Sequence, residues 1–211
     1  MNASLYSSEP TDFANRAAKL LESNDSAHLF YAALEIRLGV EARMQAYAQA
    51  SLDTSAALKK GWQIAQLAKG LEKAFKGVKD VVEMSISNSP QEQPFAVLYY
   101  TPVCSELQKL AQRLGDYLHY REIRVDRNES WWTQFRTIVE RAQVLLSFAC
   151  SGQMLGPPLW NPSTGEVHMN AQFNLSDPIV DKMQQLAHTR LEMAFNVSYI
   201  PVEHFYVRGE R

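Results

Sequence analysis

The 211 residues are 46% hydrophobic and 21% charged, the balance of a folded chain and too apolar for a disordered one. A net charge of −2 excludes a globally basic nucleic-acid binder but leaves room for local basic patches. Cys104 and Cys150 show neither CxxC nor paired Cys/His spacing, so no structural zinc is expected, and MNASLYSSEPTDF lacks a basic segment followed by an apolar run, so a cytoplasmic protein without membrane partners is expected.

Ser8, Pro10 and Thr11 offer cap chemistry before Phe13, Ala17, Leu20 and Leu21, whose spacing predicts a helix near 10–23. Asn24 or Ser26 can cap a long second helix carrying a stripe of Leu29, Ala33, Ile36, Val40, Met44 and Tyr47. Asp53 or Thr54 opens a third helix to about Lys76, with Trp62, Ala65, Ala68, Leu71 and Phe75 near one face and Gly77 as its stop. Residues 78–100 lose the helical period and read as a linker with one short strand in FAVLYY.

Thr101 and Pro102 have the form of an N-cap followed by a first-turn proline, and Leu107, Leu110, Leu114 and Leu118 carry a helix to about His119. After a charged connection from Arg121 to Arg127, Asn128 or Ser130 caps a long helix ending near Gly152. GPPLWNPSTGEVHMNAQF reads as a β-hairpin, and Ser176 or Asp177 beside Pro178 starts a last helix to about Phe195. The tail VSYIPVEHFYV is apolar enough for an edge strand or an extended arm. The fold expected is mainly α: an up-down bundle of five to six helices with a small β-hairpin between the last two, of which residues 1–152 form the helical bundle domain. Residues 153–211, a small hairpin with a C-terminal helix and tail, pack on it.

GxGxxG, Walker, HExxH, GxSxG and kinase signatures are missing, so those active-site classes are not expected. The five histidines show no i, i+4 pair, and no metal or cofactor is expected. The second helix carries Glu35, Arg37 and Glu41 within an apolar segment, where charges must be paired or exposed. Arg37 and Glu41 can pair four apart, whereas Glu35 lies about 200° round the helix from Arg37 and needs a partner on another element. These groups either edge a packed helix or position something across a helix interface.

Lys59, Lys60, Lys69, Lys73, Lys76 and Lys79 face a single acid, Glu72, and Lys69, Lys73 and Lys76 share one helical face. That face is either the wet side of an amphipathic helix or a contact for RNA phosphates. Trp131, Trp132 and Phe135 at a helix start read as core or dimer interface, with base stacking as the alternative.

SAHLFYAALEIRLGVEAR resembles the early helix of HEPN-type four-helix domains, where A-L-E-x-R-x-x-x-E patterns recur; here Ala33, Leu34, Glu35, Arg37 and Glu41 carry it. LQKLAQRLGDYLHY is similar to the later helix of such domains, which in catalytic members holds an Arg, four to six residues and a His; here Arg113 and His119 enclose five. Leu114 stands where catalytic members tend to carry a polar residue. The resemblance covers roughly residues 25–150. It implies a homodimer around Arg113 and His119 and a metal-independent endoribonuclease of a toxin or phage-defence system, with RNA and an antitoxin-like protein as partners. An imidazole can take the proton of an RNA 2′-hydroxyl while an arginine stabilises charge on the phosphate. The competing expectation is a non-catalytic helical interaction or adaptor module; a regulator with an apolar ligand pocket is the third.

Overall fold

A computed structural model describes residues 7–50, 55–61, 63–74, 79–119, 128–161, 163–164, 166–173, 180–181 and 193–208. The chain is mainly helical with a small antiparallel sheet, and it divides into two compact units. One unit comprises Met1–Ala74 and Val103–Cys150, the other Phe75–Pro102 and Ser151–Arg211.

Among the described residues the elements of the first unit are all helices: α1 (Pro10–Leu21), α2 (Ser26–Ala50), α3 (Ala56–Lys60), α4 (Ile64–Ala74), α5 (Ser105–Tyr117) and α6 (Glu129–Ala149). The long α2 packs against all five others. Its expected stripe from Leu29 to Tyr47 is buried, and Ala32, Gly39, Arg43 and Ala48 are buried as well. A helix contacted from several directions needs apolar residues on more than one face. At Gly39 the approach is close: a Cβ would lie 2.7 Å from Leu146 Cδ2 of α6 and 2.9 Å from Phe13 Cβ of α1.

Two expected boundaries move. The single third helix is broken into α3 and α4, because Ser55 caps α3 by accepting from the Leu58 amide and Gly61 ends it in an extended conformation. Asp53, Thr54, Trp62, Phe75 and Gly77 lie outside the described residues. The cap of α5 is Cys104, not Thr101, whose hydroxyl instead accepts from the Gly152 amide at 3.0 Å. The Asn128 cap holds: its side-chain oxygen accepts from the Trp131 amide at 2.9 Å. The connection from Arg121 to Arg127 is outside the described residues.

In the second unit the short strand expected in FAVLYY is present, but the linker expected before it holds a further strand. The two strands are β1 (Val81–Ser87) and β2 (Ala96–Tyr100), paired antiparallel with Met84 opposite Leu98. Glu83 and Ser85 alternate with Val82, Met84 and Ile86, the period of a strand with one buried face. β3 (Leu159–Asn161) and β4 (Glu166–His168) pair with each other. The last helix was expected from Ser176, Asp177 and Pro178 to Phe195. Its start lies outside the described residues, and Ala194 and Phe195 instead open β5 (Ala194–Ile200). β5 pairs antiparallel with β1 at the margin of the sheet, whose order is β2-β1-β5. After Pro201 the chain forms α7 (Val202–Arg208). No helix among the described residues is long and apolar enough to cross a membrane.

Candidate functional site

The charges of α2 divide by position on the helix. Glu35 finds its partner on α1: Arg16 Nε lies 2.9 Å from Glu35 Oε2. Arg37 pairs with Glu41 four residues on, at 3.2 Å. Burial pushes the Glu41 carboxyl above its ordinary range, and the Arg37 guanidinium opposes that rise without cancelling it. Gly115 of α5 accommodates this pair, since a Cβ there would meet the Arg37 guanidinium, with Cζ at 2.9 Å. Glu35 thus links α2 to α1, Arg37 lies against α5 at Gly115, and Glu41 pairs within α2.

Arg113 and His119 lie on and just past the end of α5, and both are exposed. Arg113 Nε donates to the Tyr117 hydroxyl at 2.9 Å, and its guanidinium carbon lies 5.5 Å from the centre of that ring. His119 follows the C-cap Leu118 and its amide donates to the Asp116 carbonyl at 3.2 Å. Between them Leu114 is fully buried, which gives a packing reason for an apolar residue directly after Arg113. His119 lies beyond the last turn of α5, so the two residues are not both carried on one face of that helix.

Lys69 and Lys73 are exposed on α4, which packs against α5. Lys76 lies outside the described residues. Two helices in contact therefore carry the lysine face and the Arg/His pair. Two surface hollows are lined by other residues: a shallow one of about 580 Å³ by Glu129, Ser130, Thr133 and Gln134, and one of about 930 Å³ by β5 and its surroundings. Neither includes Arg113 or His119.

The aromatic residues at the start of α6 tie three helices together. Phe135 is fully buried, Trp131 and Trp132 half-buried. Phe30 of α2 lies 5.1 Å from Phe135 and 5.7 Å from Trp132, and Tyr117 of α5 lies 5.0 Å from Phe135 and 5.7 Å from Trp131. Edge-on and tilted contacts at these separations are favourable ring geometries.

Sequence reasoning passed over Arg43, which is 4% exposed. Its Nε donates to the Ala149 carbonyl at 2.8 Å and to the Tyr47 hydroxyl at 2.9 Å, and its guanidinium lies 4.8 Å from the Tyr47 ring. The signal was its spacing: Arg43 stands seven residues after Ile36 and four before Tyr47, inside the buried stripe. Next to Ala149, burial pushes the Cys150 thiol up to about 11, against a smaller opposing pull from Arg43.

Among the described residues no group of three or more His, Cys, Asp or Glu side chains could hold a metal ion. Compared with models of known protein families, with curated proteins and with solved structures, the chain finds no match.

Proposed function

We propose that this protein handles RNA through the exposed side of α4 and α5, as a HEPN-like domain whose helices run up and down as a bundle. The observation that carries the reading is the packing of α4, with Lys69 and Lys73 exposed, against α5, with Arg113 and His119 exposed. Lysine ammoniums take up backbone phosphates as point charges. Arg113 sits beside the scissile phosphate, where its guanidinium stabilises charge developing on the non-bridging oxygens. The His119 imidazole takes the proton from the 2′-hydroxyl as that oxygen attacks phosphorus. The 5′-oxygen of the next nucleotide leaves and takes up a proton, so the products are a 2′,3′-cyclic phosphate and a 5′-hydroxyl. As the HEPN resemblance implies, the reading calls for two copies to share a site.

The test is incubation of end-labelled mixed RNA in EDTA with wild type and with His119→Ala, scoring cleavage and cyclic-phosphate ends. Cleavage that disappears in the variant supports the chemistry. RNA bound but uncut by both proteins reduces the reading to RNA binding, and absence of both binding and cleavage overturns it.

The competing reading is a non-catalytic interaction module. It is favoured by a different observation, the aromatic residues left exposed on β5, where Phe195 is 38% and Tyr199 is 56% exposed. Partner-binding surfaces are rich in such side chains.

A further inference from the structure

The antiparallel pairing of β5 with β1 sets Tyr199 opposite Val82, Val197 opposite Met84 and Phe195 opposite Ile86. Opposed residues project from the same face of a sheet, so these three belong with Val82, Met84 and Ile86, which are fully buried. The β5 column of that face is the exception, with Phe195 and Tyr199 exposed and Val197 half-buried. Among the described residues β5 pairs only with β1, and none of them forms a ladder along its other margin. Sheets usually guard such an edge with a charge, a proline or brevity. β5 has seven residues, no charged side chain and no proline. Open space of about 930 Å³ borders it, lined by Met193–Val197 and Tyr199 and, among others, by Glu92, Pro94, Pro158 and Val167.

The order of residues in β5 says what fits there. Read from either end, Ala194-Phe195-Asn196-Val197-Ser198-Tyr199-Ile200 runs apolar, aromatic, polar, valine, polar, aromatic, apolar. We propose that β5 is a self-pairing edge, along which a second copy of this chain adds its own β5 antiparallel, centred on Val197. In that register Phe195 stands opposite the partner's Tyr199, Val197 opposite the partner's Val197 and Asn196 opposite the partner's Ser198. Aromatic meets aromatic and polar meets polar, and no like charges are brought together, because the strand carries none. The contact is isologous, as a two-fold dimer requires. It completes the exposed column with cross-strand neighbours, the unit of sheet stabilisation. The inference needs only β5 and stands apart from the RNA reading, so failure of the cleavage assay leaves it untouched.

Sedimentation velocity on the full chain at micromolar concentration tests it, with wild type expected as a dimer. Val197→Lys opposes two ammoniums across the axis and is expected to give a monomer with an unchanged far-UV circular dichroism spectrum. A second measurement decides the matter if that variant fails to fold. In a Cys104→Ser, Cys150→Ser background, Val197→Cys puts its two copies in directly opposed positions, with Cβ atoms about 4.5–5.5 Å apart. Mild oxidation is expected to link them into a covalent dimer. Ala194→Cys is the control, since its two copies stand about 20 Å apart in this register at ~3.4 Å per residue. A wild type that stays monomeric overturns the proposal and leaves the edge to a strand of another protein. A dimer that survives Val197→Lys, with no linkage through Val197→Cys, overturns it as well.

Discussion

Arg43 of α2 and Ala149, the last residue of α6, are joined by a 2.8 Å hydrogen bond from guanidinium to carbonyl across 106 positions of sequence. The last carbonyls of a helix have no partner within it, and cations are favoured at that end. Arg43 therefore satisfies the close of α6 while its own charge is buried against the Tyr47 ring. Arg43→Met keeps much of the volume but leaves the Ala149 carbonyl and the Tyr47 hydroxyl without this donor. Loss of a buried, charge-assisted donor costs about 3 kcal/mol. In a chain of this size that lowers the melting temperature by about 10 °C, measured by thermal denaturation. Arg43→Lys is expected to recover only part of the loss, because an ammonium on a flexible stem does not reproduce the planar guanidinium held over the Tyr47 ring. A melting temperature unchanged in Arg43→Met would remove this pin from the account.

Two glycines in the helices make opposite predictions. Alanine in a helix interior is better than glycine by about 1 kcal/mol when nothing is in the way. At Gly39 the obstacles are Leu146 Cδ2 at 2.7 Å and Phe13 Cβ at 2.9 Å, and the latter is fixed to the α1 backbone. Gly39→Ala is expected to destabilise by about 2 kcal/mol through overpacking. At Gly115 the obstacle is the end of a long, partly exposed arginine, Arg37, which can move aside. Gly115→Ala is expected within about 0.5 kcal/mol of wild type by urea unfolding, with the displaced Arg37–Glu41 pair accounting for the lost propensity gain. Equal losses at the two sites would contradict this contrast.

Elements with a sustained helical period were legible in the sequence, although Glu9 precedes α1 without a side-chain cap and Asp25, in place of Asn24 or Ser26, accepts from the Ala27 amide at the start of α2. The α1, α2 and α6 segments fall within a few residues of their expected spans, and Asn128 caps as its position suggests. Failures came where one residue type served two purposes. Thr101 before Pro102 looks like a cap, yet its hydroxyl is used by the Gly152 amide 51 positions away, a contact no local pattern announces. Lys59, Lys60 and Gly61 continue a helical reading until Gly61 turns extended. The alternation in Val81–Ser87 was visible in principle, but the turn residues from Asn88 to Pro90 drew the segment into a linker. Within the candidate site, the lysine face and the Arg113–His119 spacing could be read from sequence. The packing of α4 against α5 could not, because it depends on α2 holding both.

Glu41 gives a pH dependence whose sign follows from its burial. Its folded-state value lies above the ordinary 4.5, with desolvation the largest cause and the Arg37 hydrogen bond and charge opposing it. The folded state therefore holds more protons than the unfolded state in the window above 4.5, and its stability falls as pH rises through that window. Glu41→Gln removes the titration and keeps an acceptor for Arg37. The variant is expected to gain on wild type as pH is raised from 4.5 toward the folded-state value and to hold that advantage at neutral pH. The expected gain is below about 1 kcal/mol, since the pair is partly solvated. Urea unfolding at stepped pH measures the difference, and a wild type that gains on the variant across the window reverses the sign.

Cys150 is expected to be a slow thiol. Its ionisation lies near 11 against an ordinary 9.0, chiefly through burial. The thiolate is the reactive species, so a shift of this size lowers its population about a hundredfold at mildly alkaline pH. In a Cys104→Ser background, alkylation of Cys150 is expected to be at least that much slower in the native protein than in denaturant. Similar rates in the two states would show that the end of α6 is open to solvent.

The lysines of α4 make the RNA reading quantitative. Binding that neutralises phosphates releases counterions, and each ionic contact to a single strand contributes about 0.7 to the slope of log affinity against log salt. Lys69 and Lys73 are one helical turn apart and both exposed, so each can hold its own phosphate. Lys69→Gln and Lys73→Gln are each expected to lower that slope by about 0.7 and to weaken binding similarly for RNAs of different sequence, since phosphate contacts carry no base information. The double variant is expected to lower it by about 1.4, because two separate contacts add. Fluorescence anisotropy with a labelled oligonucleotide across a salt series provides the slopes. His119→Ala should bind with an unchanged slope while losing cleavage, because an imidazole taking a proton need not neutralise a phosphate. A slope that falls with His119→Ala and stays constant with the lysine variants would move the RNA from the α4 face to the end of α5.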